Sequence, residues 1–364
     1  MLKELRCLRL KNLSTSGQSQ IYEFDYLSGR VFVISHEDSC KLISHPELVG
    51  LDVQKSLYHA TADFLLYLQN NGFLNKINIV NILRGGLNFP LENACVSLDS
   101  SIPDVSFVSS ERMSSGKVSY LQMKYKKVIP SLGSSVLVGD IIASGSTLIN
   151  TIDYLADCYE KSGLYPKNIV VFTIGTYKAL DVVRKIDKEL HNRWSFFEGI
   201  IPVFYEAIFN VYDNCGITGL NTFGLDFYMA DALVLPQLRL SYQCQKSTIF
   251  EKCAIYDGGD RRFNPEAHMK LICDYWTKLM SGGSYSIEIF LREKLGYDAT
   301  ISFEDWVTFT GYKDYDFGID MKNLYHKEMK MIETILDEDF TVFCATRLEC
   351  LKKYFKGKTG YHHE

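Results

Sequence analysis

Three short segments carry most of the constraint on this chain: INIVNIL (Ile77–Leu83), SVLVG (Ser135–Gly139) and NIVVFTI (Asn168–Ile174). Each is mostly apolar and rich in β-branched residues. A strand with one wet face alternates apolar and polar residues, so an apolar run of this kind implies burial on both faces. Helical spacing fills the intervals. Leu57, Thr61, Phe64, Leu65 and Leu68 share a stripe in residues 56–70; Leu148, Ile152 and Leu155 share one in 147–160; Leu180, Val183, Ile186 and Leu190 share one in 179–190. Doubly buried strands interleaved with amphipathic helices predict an α/β fold with a mainly parallel sheet flanked by helices.

The pattern changes near residue 264. Asn264 and Pro265 form a helix start, with a side-chain cap followed by proline at the first helical position. Residues 264–280, 323–336 and 346–355 then read as helices. The expected organisation is an α/β domain over 1–264 and a helical C-terminal region over 265–364. The chain has 364 residues, 46% of them hydrophobic and 23% charged, which suits a substantial core.

A net charge of −5 provides no basic face of the kind nucleic acid requires. No apolar run is long enough to span a bilayer, and no N-terminal signal pattern is present. The ten cysteines form no C-x-x-C and no zinc spacing, so the expected setting is the reducing cytoplasm, with most thiols acting as small buried hydrophobes.

The chemistry concentrates after SVLVG. In an open parallel sheet, ligands sit beyond the carboxyl ends of the strands. Asp140 stands there, followed by the small residues Ala143, Ser144, Gly145, Ser146 and Thr147. Small residues let backbone N–H groups approach an anion, hydroxyls add donors, and the next helix presents its N-terminus. The loop therefore suits a phosphate, and Asp140 suits adjacent hydroxyls, the combination found in a ribose 5-phosphate. On these residues alone, an ordinary strand-turn-helix junction is an equal reading.

The segment VLVGDIIASGSTL (Val136–Leu148) resembles the motif with which type I phosphoribosyltransferases bind phosphoribosyl pyrophosphate (PRPP). The resemblance implies that Ala143 to Thr147 hold the 5-phosphate and that Asp140 holds a ribose hydroxyl. The motif has two acids, and the first is replaced here by Gly139. NILRGGLNFP (Asn81–Pro90) is similar to the pyrophosphate loop of uracil phosphoribosyltransferases. It implies a guanidinium fork from Arg84 and free backbone donors at Gly85 and Gly86. Residues 108–130 stand where these enzymes carry a mobile hood over the substrate, with Arg112, Lys117, Lys124 and Lys126 as candidate pyrophosphate contacts. YDGGDRRF (Tyr256–Phe263) resembles a C-terminal motif of the uracil group, which places Asp257 and Asp260 near pyrophosphate and its Mg2+.

GDIIASGST also resembles hypoxanthine-guanine enzymes, as does FGLDF (Phe223–Phe227). Those enzymes carry an acid where this chain has Ala143, and its absence argues against a purine acceptor. The resemblance covers about residues 30–263. It implies PRPP-dependent transfer of ribose 5-phosphate to a base, pyrimidine-like by preference, with Arg84 and Asp140 catalytic and Mg2+ arriving with PRPP. The rival reading is a non-catalytic PRPP- or nucleotide-binding regulator, or a stress or defence effector, on the same fold. Trp194–Tyr212, within an extra piece relative to the uracil enzymes, reads as core or an oligomer contact. The C-terminal helices are candidates for contacts with another copy or a partner protein.

Overall fold

The computed structural model describes residues 10–13, 18–26, 29–98, 103–115, 118–211, 227–252, 259–281 and 286–359. The chain forms two compact units: Leu8–Ser39 with Gln54–Ile208, and Met1–Cys7 with Cys40–Val53 and Phe209–Glu364. The expected division at residue 264 falls inside the second unit. The change in sequence texture at Asn264 marks the start of a mainly helical stretch, whereas the packing break comes earlier, within the strand Ile200–Val211.

The first unit is built on a sheet. Its strands are β1 (Leu10–Asn12), β2 (Gln20–Tyr26), β3 (Gly29–Ser35), β4 (Ile77–Leu83), β5 (Asp104–Ser115), β6 (Val118–Lys127), β7 (Ser135–Ile142), β8 (Asn168–Thr176) and β9 (Ile200–Val211). Across the sheet they run β1-β2-β3-β9-β8-β7-β4-β5-β6. The pairs β3/β9, β7/β8, β4/β7 and β4/β5 are parallel, and β1/β2, β2/β3 and β5/β6 are antiparallel. The core β5-β4-β7-β8-β9 thus has the doubly wound order in which the first strand lies between the second and the third.

Helices cover both faces. Phe64, on α2 (Leu51–Asn70) where that helix belongs to this unit, packs edge-on to Phe32 and Phe172, with ring centroids 5.0 and 5.9 Å away. Tyr159, on α4 (Ser146–Lys161), places its hydroxyl 3.4 Å from Asn78 Nδ2 and 2.7 Å from Ser134 Oγ. In register, Phe172 neighbours Gly139, and Gly139 neighbours Asn81. Asn81 is an odd number of residues from Asn78, so Phe172 and Asn78 point to opposite faces. The other helices of this unit are α3 (Leu91–Val96) and α5 (Tyr177–Arg193), and α5 buries Leu180, Val183, Ile186 and Leu190.

The expected strands β4, β7 and β8 form as read. The segment read as an extra piece instead supplies β9, the fifth core strand. Glu206 interrupts its apolar run. It is fully buried with φ 66°, and it accepts from Ser35 Oγ at 2.5 Å, Ser39 Oγ at 2.5 Å and the His36 N–H at 3.2 Å.

The second unit is mostly helical. Besides α1 (Glu37–Ser44), most of which belongs here, and strand β10 (Phe227–Val234), it contains α6 (Pro236–Tyr242), α7 (Asp260–Phe263), α8 (Pro265–Ser281), α9 (Ile287–Leu295), α10 (Phe303–Phe309), α11 (Met321–Leu336) and α12 (Phe340–Thr359). Five of these helices begin on side-chain caps: Asn264, Ser286, Ser302, Asp320 and Asp339 accept from the N–H groups of Ala267, Ile289, Asp305, Asn323 and Val342. The fully buried Trp276 and Trp306 sit beside buried ion pairs. Arg239 meets Glu328 at 3.2 Å, and Arg347 pairs with Glu251 and with Glu47.

Candidate functional site at the switch point

In the order β5-β4-β7-β8-β9 the chain reverses direction between β4 and β7. Loops leaving the carboxyl ends of those two strands diverge and leave a crevice. Arg84 to Asn88 follow β4, and Asp140 to Thr147 end β7 and open α4. The topology therefore brings together the two segments singled out in the sequence.

After β4, the Leu83–Arg84 peptide is cis and the chain enters a 3₁₀ turn over Gly85–Asn88. The turn is closed by the Leu87 N–H to Arg84 O at 3.1 Å and the Phe89 N–H to Gly86 O at 3.1 Å. Gly86 is required by proximity, since a Cβ there would lie 3.0 Å from the carbonyl oxygen of Gly139. A Cβ on Gly85 would sit 3.6 Å from Asp140 Oδ1, so the pyrophosphate-type loop lies against the candidate ribose acid. Arg84 is exposed at the mouth of the turn.

Gly139 has a steric reason. A Cβ built on it would fall 2.6 Å from Phe89 Cβ and Cγ and 2.7 Å from Cδ2. Phe89 is 2% exposed and belongs to an aromatic cluster with Tyr205 at 5.9 Å, which in turn meets Phe172 at 6.3 Å. The volume that an acidic side chain would need at 139 is filled by a benzyl group.

Asp140 remains the acid at this point. It is 9% exposed, and its Oδ1 accepts from the Ile141 N–H at 2.9 Å. Burial pushes its carboxyl up from an ordinary 3.8 to about 7, with the Ile141 hydrogen bond pulling the other way. A group that titrates near neutrality exchanges a proton readily, and the carboxylate form is the one that accepts from two hydroxyls.

The phosphate-type loop is shaped by Gly145, with φ 79°, immediately before α4. A Cβ there would meet Val182 Cγ1 at 2.8 Å. Ser144 is exposed, Ser146 and Thr147 are half-buried, and the Ser144 and Ser146 hydroxyls stand 3.0 Å apart. The sixteen-residue α4 directs its N-terminal N–H groups into this loop. Ala143 contributes backbone, and its carbonyl accepts from Thr176 Oγ1 at 2.8 Å.

Three supporting residues were not found from the sequence. Thr176 links the loop to the end of β8 and also caps α5, accepting from the Ala179 N–H at 3.4 Å. Gln54 donates to Leu87 O at 3.4 Å beneath the 3₁₀ turn. Phe89 fills the space at Gly139. Only Thr176, as a threonine before a helix, carried a sequence signal. Asn88, in the turn itself, is 5% exposed, and its Oδ1 has no hydrogen-bond partner among the described residues.

The hood segment is an antiparallel hairpin of β5 and β6, with a register shift at Ser109/Ser110. Lys124 lies 3.6 Å from Glu111, and Lys126 Nζ lies 5.0 Å from the Tyr154 ring centroid on α4. The Arg112 side chain and all of Lys117 lie outside the described residues, as does Asp257. Asp260 opens α7 in the helical unit, while the two loops belong to the sheet unit. In the same motif Arg261 has a structural task. It is 3% exposed and donates to the carbonyls of Leu42 at 2.8 Å, Leu48 at 2.7 Å and His45.

Among the described residues no group of three or more His, Cys, Asp or Glu side chains could hold a metal. A single carboxylate between the two loops fits a magnesium ion held mainly by ligand oxygens and water, and not an all-protein cage.

No family model and no curated protein matches the chain. Among solved structures, the chain is similar to a purine phosphoribosyltransferase from Pyrococcus horikoshii Ot3 at 15% identity, covering 40% of this chain and 79% of that one, with a TM-score of 0.26. It is similar to an orotate phosphoribosyltransferase from Aeropyrum pernix at 20% identity, covering 36% and 67%, with a TM-score of 0.25. It is also similar to an adenine phosphoribosyltransferase from Leishmania tarentolae at 15% identity, covering 54% and 95%, with a TM-score of 0.29. These named neighbours are of purine, orotate and adenine type, not uracil type.

Proposed function

We propose that this protein binds PRPP at the switch point and transfers its ribose 5-phosphate to a nitrogenous base, releasing pyrophosphate. The observation that supports this reading is the meeting of the two loops, with Gly85 against the Asp140 carboxyl and Gly86 against the carbonyl of Gly139. One loop suits a pyrophosphate, the other suits a 5-phosphate, and an acid stands between them.

In this reading the loop 143–147 anchors the 5-phosphate through backbone N–H groups, hydroxyls and the start of α4. The Asp140 carboxylate accepts from a ribose hydroxyl and orients the anomeric carbon. Arg84 and the N–H groups of Gly85 and Gly86 stabilise negative charge as the C–O bond to pyrophosphate breaks. Magnesium bound to PRPP would supply further neutralisation of the leaving pyrophosphate. A ring nitrogen forms the new C–N bond. With Ala143 where purine enzymes have an acid, the base must release its own proton readily, which favours an acidic, pyrimidine-like acceptor. Closure of the β5–β6 hairpin would keep water from the oxocarbenium-like carbon. No helix of the described residues is long and apolar enough to cross a membrane. We place the reaction in the cytoplasm, where the seven free described cysteines would stay reduced.

The direct test is pyrophosphate release from PRPP with magnesium and a panel of bases. Uracil, orotate or a related pyrimidine is expected to support turnover. One observation favours a second reading. Phe89 occupies the space of the first motif acid, so the site has a single ribose acceptor, as a PRPP- or nucleotide-binding module without transfer would. Calorimetric PRPP binding with no turnover on any base would select that reading, and no binding at all would remove both.

A further inference from the structure

At the other end of the sheet unit lies a cavity of about 270 Å3. Its walls include Asn168 and Ile200, the first residues of β8 and β9, and Arg184 near the middle of α5. Asn168 stands five residues before Thr173, the register partner of Asp140. At about 3.3 Å per residue, roughly 16 Å of strand separates the cavity from the candidate ribose acid.

The charged groups on the wall differ in their commitments. Arg30 pairs with Glu23 at 2.5 Å and lies over the Phe73 ring, 4.9 Å from its centroid. Asp187 Oδ1 accepts the Ile200 N–H at 2.6 Å, and Glu198 lies 3.6 Å from Lys167. Arg184 has no carboxylate within ion-pair reach among the described residues. It donates from Nη2 to the Arg30 carbonyl at 3.0 Å, and its Nε has no partner. Asn168 is 1% exposed. Its Nδ2 donates to Phe73 O at 2.8 Å, while its Oδ1 is unpartnered. The chain also makes room for the guanidinium, since a Cβ on Gly29 would lie 1.9 Å from Arg184 Nη1.

We infer that this cavity is a binding site for a small monoanionic carboxylate carrying an N–H donor, distinct from the PRPP site. The carboxylate pairs with Arg184 and the N–H with Asn168 Oδ1, satisfying both open valences at once. Phe73, Ile200 and Ile201 supply an apolar wall. Asp187 and Glu198 on the same wall disfavour a doubly charged phosphate. An N–H beside a carboxylate occurs both in acidic heterocycles and in amino acids.

The test is calorimetry on the full chain with pyrrole-2-carboxylate as the heterocyclic probe, L-glutamate as the amino-acid probe and inorganic phosphate as the plain anion. One of the two carboxylates should bind one to one, with or without saturating PRPP, and phosphate should not displace it. Arg184→Ala should weaken that binding by about tenfold or more. Gly29→Ala, which keeps the guanidinium but pushes it aside, should do the same. Both variants should keep the wild-type affinity for PRPP, which also reports that they are folded. No binding of either carboxylate at millimolar concentration, equal affinity in both variants, or displacement by PRPP would overturn the inference. A chain that binds the carboxylate but not PRPP would sink the phosphoribosyl reading and leave this one standing.

Discussion

Asp140 carries two opposed tasks, and its protonation separates them. Its folded carboxyl is raised from 3.8 to about 7 by burial. The folded state therefore holds a proton that the unfolded chain releases at lower pH. Stability present below the ordinary value is lost as pH rises through about 7. PRPP binding has the opposite slope, because the hydroxyl-accepting form is the carboxylate. Thermal melts should show Asp140→Asn more stable than wild type at pH 8, with the gap narrowing as pH falls below about 7 and closing only near the ordinary carboxylate value of 3.8. The same variant should bind PRPP more weakly by about tenfold or more at pH 8. Equal affinity would remove Asp140 from the ribose. Arg84→Ala should reduce turnover far more than PRPP affinity, as expected of a group acting on the departing charge; unchanged pyrophosphate release would remove that role.

The residue pair Gly139 and Phe89 shows what could be read in advance and what could not. Gly139 was visible as a departure from the two-acid motif. Its cause was not, because Phe89 reaches it only through the fold. A Cβ 2.6 Å from that ring predicts that Gly139→Asp alone destabilises by about 1–3 kcal/mol in urea unfolding. Phe89→Ala alone should cost about 3–5 kcal/mol. The double variant should cost clearly less than the sum, since the new carboxyl enters the vacated space. Strict additivity would show that the two side chains do not compete.

At the scale of elements, the strands that could be recognised were the ones whose composition follows from double burial. β4, β7 and β8 are apolar enough to be read directly. β9 was missed because its aromatic run, with Glu206 inside it, fits a buried strand, a core helix or an oligomer contact equally well by pattern. The segment compared with a hood is a paired hairpin, with Lys124 lying 3.6 Å from Glu111 across it. Thr176 ties the loop between β7 and α4 to the start of α5, its hydroxyl serving the phosphate-type loop and a helix cap together. Thr176→Val should lower stability by about 1 kcal/mol and weaken PRPP binding, with inorganic phosphate competition giving the readout. A loss of stability without a loss of affinity would confine it to capping.

At the scale of the whole molecule, the texture change at Asn264 was legible but did not mark a unit boundary. The break in packing comes within β9, where the residues stay apolar and give no sign of it. The helical unit depends on ion pairs with no signature in one dimension. Arg239 is 2% exposed, donates to Tyr312 Oη at 3.0 Å and Tyr297 Oη at 3.1 Å, and meets Glu328 in the core. Desolvating such a pair is costly, and removing one partner strands the other. Glu328→Gln should lower the unfolding free energy of the chain by about 3–5 kcal/mol in urea titration. A change below about 1 kcal/mol would mean the charge is relieved by water.

The benzyl group over Gly139 also bears on how this site could have changed over time. A second acid at position 139 is sterically closed while Phe89 is in place, and removing Phe89 first leaves a hole in the aromatic cluster. Either single step is therefore expected to destabilise the chain, and the two together to cost less than their sum. An acid at position 139 is therefore reached only across a valley of instability, whichever of the two substitutions comes first.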